Sequence, residues 1–102
     1  MSARMLQLNF QFSVTGAEYE AAVSPLAENF ASLDGLLWKV WMINEAEGEA
    51  GGIYLFEDEG SLQAYLDGPL AAGVIGHPAL SEFSVKRFDV MEAVTGITRG
   101  PI

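Results

Sequence analysis

The chain has 102 residues, half of them apolar, enough for one domain with a core of its own. A net charge of −9 argues against nucleic acid and anionic membranes as partners, since both reward basic surfaces. The absence of cysteine excludes a disulfide framework, a thiol nucleophile and a thiolate metal site.

The first strand is expected at about Met5–Ser13, where Leu6, Leu8, Phe10 and Phe12 alternate with Gln7, Asn9 and Gln11. From Gly16 to Leu33, the residues Tyr19, Ala22, Val23, Leu26, Ala27, Phe30 and Leu33 recur at helical spacing. Pro25 removes a backbone donor inside that pattern, so the spacing predicts a helix kinked there. Asp34-Gly35 closes it. Two apolar segments, Leu36–Asn44 and Gly52–Phe56, then flank the turn Glu45–Glu49 and predict a hairpin. Asp58 is placed to cap a second helix from Glu59, with Leu62, Tyr65 and Leu66 inward. Gly68-Pro69 breaks it, and Leu70–Ile75 supplies a further helical turn. The last strand is expected at Leu80–Met91. Phe83 and Val85 share one parity there, Phe88 and Val90 the other, which predicts a β-bulge at Lys86-Arg87. The tail Ala93–Ile102 has no strong period; it lies over a neighbouring surface or frays.

No apolar run is long enough to span a bilayer, and the opening MSARMLQLNF passes straight into a strand without a signal-peptide cleavage region. A cytoplasmic protein is the expectation. The order β-α-β-β-α-β predicts an α+β, ferredoxin-like domain over residues 1–102, with an antiparallel four-stranded sheet and both helices on one face. The hairpin strands are apolar on both parities: Leu36, Trp38, Val40 and Met42 against Leu37, Trp41 and Ile43, then Tyr54 and Phe56 against Ile53 and Leu55. A strand with one wet face alternates apolar and polar residues. The sheet is therefore expected to be covered twice, by its helices and by a second subunit, or to line an apolar pocket.

Three of the five cations, Lys39, Lys86 and Arg87, fall inside strand candidates. They either pair with nearby carboxylates or bring one positive group to a pocket that receives an anionic or enolate-like ligand.

The segments GLLWKVW (35–41), EAGGIYLFEDE (49–59), AYL (64–66) and KRFDVMEAVTGI (86–97), with PLAE (25–28) and the opening LQLNFQF, resemble the YdhR family of mono-oxygenases along nearly the whole chain. That resemblance implies a dimeric α+β barrel, a homodimer in which two ferredoxin-like subunits join their sheets. It also implies kinship with small monooxygenases that oxidise aromatic polyketides and quinols without metal or flavin.

Such chemistry needs an apolar cleft, donors for a developing oxyanion and stacking aromatics. Trp38, Trp41 and Phe56 are candidate walls for a small hydrophobic or aromatic molecule, and equally candidates for core or dimer interface. Tyr54, Arg87 and Asn9 are the candidate catalytic groups, with Lys39 next. Arg87, rather than Lys86, is expected to point into the cleft, because a guanidinium stays ionised when partly buried. The lone His77, in a loop before Pro78, is a solvated or end-capping residue, or else a haem ligand. Haem-degrading monooxygenases of the same superfold share a first-strand Asn and a His beside the second helix, but this chain lacks a Trp in its third strand or second helix. No dinucleotide or phosphate loop and no histidine cluster is present, so neither metal nor cofactor is expected. The expectation is a cofactor-independent monooxygenase, with a non-catalytic dimeric binder or a haem-degrading monooxygenase as alternatives.

Overall fold

The computed structural model describes residues 3–102. Four strands, β1 (Arg4–Phe12), β2 (Leu36–Asn44), β3 (Glu49–Phe56) and β4 (Leu80–Asp89), form one antiparallel sheet in the order β2-β3-β1-β4. The helices α1 (Gly16–Val23), α2 (Ala27–Ala31), α3 (Glu59–Leu66) and α4 (Pro69–Ile75) pack on one face, and α5 (Glu92–Ile97) follows β4. This is the ferredoxin-like α+β fold that the element order predicts.

Local chemistry sets the boundaries. Thr15 and Glu18 form a reciprocal capping box at the start of α1, each closing on the other's backbone N–H at 3.1 and 3.0 Å. Ser24–Leu26 is a 3₁₀ turn with Pro25 inside, and it is the kink between α1 and α2. The Asp58 carboxylate caps α3 by accepting from Ser61 N–H at 2.8 Å. In the hairpin turn Asn44 accepts from the Glu47 N–H, and Gly48 takes the left-handed φ of 64° that returns the chain.

Cross-strand partners share a face, so the register sorts the side chains. One row runs Lys39–Tyr54–Leu6–Arg87 across all four strands, and the next runs Trp41–Gly52–Leu8–Val85. Both face the helices. The core on this side contains Leu6, Leu8, Phe10, Phe12, Tyr19, Phe30, Tyr54, Phe56, Leu62 and Tyr65. The opposite face carries the rows Trp38–Leu55–Met5–Phe88 and Val40–Ile53–Gln7–Lys86, with Asn9.

Two register shifts correct the sequence reading. In β2 the extra residue is Leu37, so Leu36 faces the helices while Trp38 faces away. In β4 the bulge lies at Glu82-Phe83, where Glu82 has φ 54°, and pairing from Ser84 to Asp89 is unbroken. The bulge predicted at Lys86-Arg87 is absent because nothing there needs repair. Val85 and Arg87 face the helices, and Phe88 joins an apolar row on the other side. A two-sided sheet tolerates the parity change that a one-sided sheet would have to remove.

The tail also departs from the aperiodic reading, since Glu92–Ile97 is helical. It then reaches Trp38, whose indole Nε1 donates to the Pro101 carbonyl at 2.6 Å. Since β4 and β2 are the two edges of the sheet, residues 90–101, with α5, cross the face opposite α1–α4, where Leu55 is fully buried. Much apolar surface on this side stays exposed: Val40, Phe88, Met91, Val94 and Ile97 are each 47–76% accessible. No helix among the described residues is long and apolar enough to cross a membrane.

Candidate active site

The β2 edge of the helix-bearing face carries an unusual group. Lys39 extends from β2 toward α2, and its Nζ lies 3.4 Å from the Trp41 ring centroid, 3.6 Å from Phe30 and 4.6 Å from Tyr54. Trp41 meets Phe30 edge-on, with centroids 5.4 Å apart. Each ring offers the amine a negative π face. Burial pulls the Lys39 pKa from its ordinary 10.5 down to about 7, while the three π faces work the other way by favouring the ammonium.

Trp41 also divides the surface around this box. On one side is an open cleft of about 350 Å³ between α1 and β2, lined by Tyr19, Glu20, Val23, Ala27, Trp41 and Ile43. On the other, a recess of about 340 Å³ is lined by Phe30, Leu36, Leu37, Trp38, Lys39 and Trp41, with Ala27 and Ala31 of α2. Between them a small void of about 20 Å³ touches Lys39, Trp41, Phe30 and Tyr54. Both outer spaces are within the size range of ligand sites, roughly 300–1,000 Å³.

Behind the box, the Tyr54 hydroxyl lies 3.1 Å from that of Tyr65 on α3. Burial pushes the Tyr54 phenol up, the nearby Tyr65 adding to it, and burial likewise raises the Tyr65 phenol. Both stay uncharged at any ordinary pH. The rings around the amine are therefore neutral, and the Lys39 amine is the charged group they enclose.

The structure brings together Lys39, Trp41 and Tyr54, with Phe56 stacked behind Tyr54 at 6.0 Å as fully buried core. It separates the other candidates. Asn9 is on the opposite face of the sheet, donating to Glu49 at 3.1 Å. Trp38 also turns toward that face, bound to Pro101, though it borders the recess beside Lys39 and Trp41 as well.

Arg87 faces the helices and Lys86 does not, but Arg87 does not enter the cleft it was expected to reach. It stands at the far edge of the Lys39 row, with two strands between, roughly 14 Å away at ordinary strand spacing. There it donates to Glu59 at 2.5 Å and Gln63 at 2.7 Å, both on α3. Its carboxylate partner, shared with Arg4, explains the placement: in an acidic chain an edge cation finds a nearby Glu before it finds a pocket.

His77 follows α4. Its Nδ1 accepts from the Ala79 N–H at 3.1 Å, and the space it borders holds about 50 Å³. There the imidazole caps the turn that leads into β4.

The residues missing from the sequence reading as site members, Phe30, Tyr19 and Val23, were visible there only as the inward stripe of a helix. Stripe position alone cannot tell a pocket wall from a packed core.

A family model, Putative mono-oxygenase ydhR, matches residues 5–101. The chain belongs to the YdhR mono-oxygenase family.

Solved structures share this fold across nearly the whole chain. SnoaB, a cofactor-independent oxygenase from Streptomyces nogalater, is 17% identical over 92% of this chain and 98% of its own, with a TM-score of 0.71. The haem-degrader MhuD from Mycobacterium tuberculosis, determined with two haems in its active site, is 22% identical over 85% and 95%, with a TM-score of 0.66. NE2512 from Nitrosomonas europaea, a protein of unknown function, is 20% identical over 91% and 93%, with a TM-score of 0.68. At these identities the likeness is one of fold. No curated protein matches the chain.

Proposed function

We propose that this YdhR-family protein is a cofactor-independent monooxygenase that takes a small aromatic or quinol-like molecule into the recess between α2 and β2. The observation that carries the reading is the aromatic wall of that recess, where Trp41 and Phe30 border a ligand-sized space that Lys39 itself lines. A flat aromatic ligand stacks on Trp41, gains apolar contact from Phe30 and Leu36, and sheds water as it enters. An oxygenation without metal or flavin draws its first electron from the substrate itself, which must be electron-rich. Family membership and the shared fold with an oxygenase support this assignment.

The working unit we propose is a homodimer joined through the sheet face opposite α1–α4. Val40, Phe88, Met91, Val94 and Ile97 leave more apolar surface there than a monomer ordinarily exposes. Asn9 and Trp38 belong to that interface in this arrangement, and Arg87 ties β4 to α3.

Oxygen uptake with 1,4-naphthoquinol as substrate tests the function, measured with a chelator present and no flavin added. Uptake above the autoxidation rate, reduced at least tenfold in Trp41→Ala, is expected. Saturable quinol binding with no uptake above background would overturn the enzyme reading in favour of a non-catalytic binder.

A further inference from the structure

Lys39 has no carboxylate within ion-pair distance among the described residues; the ion pairs found there all belong to Arg4 and Arg87. Every titratable group turned toward it is a tyrosine or stands outside the box. Tyr54 comes from β3, with Tyr65 of α3 behind it, and Tyr19 and Glu20 of α1 line the adjoining cleft. From α2 it meets only Phe30 and the alanines beside it. A lysine kept merely for packing would cost less as methionine. A lysine kept for a surface ion pair would point outward, as Lys86 does.

We propose that Lys39 is the proton acceptor of the recess between α2 and β2, which it lines together with Phe30 and Trp41, and that the ligands it selects are small aromatic phenols or enols that hand their O–H proton to its Nζ. This rests on reading that recess as the substrate site. In the step, the ligand O–H bond breaks and the proton forms an N–H bond with the amine lone pair. The ligand is left as phenolate or enolate beside an ammonium, and no electron moves.

The surroundings suit both sides of that exchange. A neutral phenol enters an apolar recess without the desolvation cost of an ion. Once the proton has moved, the ammonium is held by three π faces and by the new anion, which supplies the counter-charge the protein withholds. An amine that titrates at about 7 also has its lone pair free in a large share of molecules at neutral pH, unlike a solvated lysine. The product is the electron-rich anion from which dioxygen can draw an electron.

The probe is 4-nitrophenol, whose phenolate is yellow and whose phenol is nearly colourless at 400 nm. At pH 6, where the free dye is mainly phenol, the full-length protein is expected to raise the phenolate band saturably. Lys39→Met, with an unchanged far-UV circular dichroism spectrum, should lose at least nine-tenths of it. As a check on the unmodified protein, 4-nitroanisole, which has no proton to give, should compete at least tenfold more weakly than 4-nitrophenol. An undiminished phenolate band in Lys39→Met, an anisole as potent as the phenol, or no saturable colour with the native protein would each overturn the proposal. Failure of oxygen uptake with the phenolate band intact removes the monooxygenase reading and leaves the proton acceptor. Oxygen uptake without the band does the reverse.

Discussion

The Lys39 side chain lies across Gly52, where a Cβ would stand 2.8 Å from Lys39 Cε and 3.3 Å from Tyr54 Cε1. The glycine is the floor that lets a long cation fold back onto its own sheet. Its backbone conformation does not demand glycine; the space does. Gly52→Ala should therefore fold, because the clash falls near the flexible end of the lysine, at a cost of about 1 kcal/mol. It should displace Nζ from the three rings and weaken 4-nitrophenolate capture at least tenfold. Urea unfolding and the dye titration read the two effects separately.

The depressed Lys39 pKa makes stability depend on pH with a definite sign. The folded value of about 7 lies below the unfolded value near 10.4, so between them the native state binds fewer protons. Stability from this group rises with pH across that window, and below pH 7 the protein bears the full cost of a buried ammonium. Lys39→Met removes the term. Its stability relative to the native protein should be greatest at pH 6 and shrink by roughly 2 kcal/mol at pH 10, a value discounted for partial exposure. Urea denaturation at the two pH values measures the difference, and a constant offset would contradict it.

The buried Tyr54–Tyr65 hydroxyl pair should behave as a unit. Tyr54→Phe strands the Tyr65 hydroxyl and should cost about 1–2 kcal/mol, and Tyr65→Phe a similar amount. The double variant should cost less than the two together, because neither polar group is left behind. Additive losses would mean that each hydroxyl finds another partner.

For the proposed homodimer, Val40→Asp combined with Phe88→Asp places charge on two exposed positions of the sheet face opposite α1–α4. Light scattering should give two 11.0 kDa chains for the native protein and one for the variant, with helical content retained. A native protein that stays monomeric at 100 micromolar would dispose of the dimer.

Arg87→Gln removes an exposed ion pair with Glu59. Its urea midpoint should hardly move, since such pairs are screened and mobile, and 4-nitrophenol binding should be unchanged. A large loss of binding would return Arg87 to the cleft.

Much of the architecture is legible in the chain itself. Alternation in Met5–Ser13, the Pro25 kink, the Asp58 cap and the glycine-bearing hairpin are local signals, and each maps onto an element that forms for the reason it was read. The alternating parities of β2 and β3 likewise announce apolar side chains on both faces of the sheet. These depend on spacing and backbone chemistry within a few residues, which the sequence displays directly.

What only the tertiary structure decided is which groups meet. Lys39 and Trp41 share one parity of β2, but no spacing links them to Phe30 or Tyr54. The extra residue at Leu37 sets which way Trp38 turns, and the bulge at Glu82-Phe83, not at Lys86-Arg87, sets the β4 register. Arg87 and Lys39 looked alike as strand cations. One found Glu59 on a neighbouring helix and the other found only rings, because ion pairing and desolvation are settled by what lies across space, and a sequence does not state its neighbours across space.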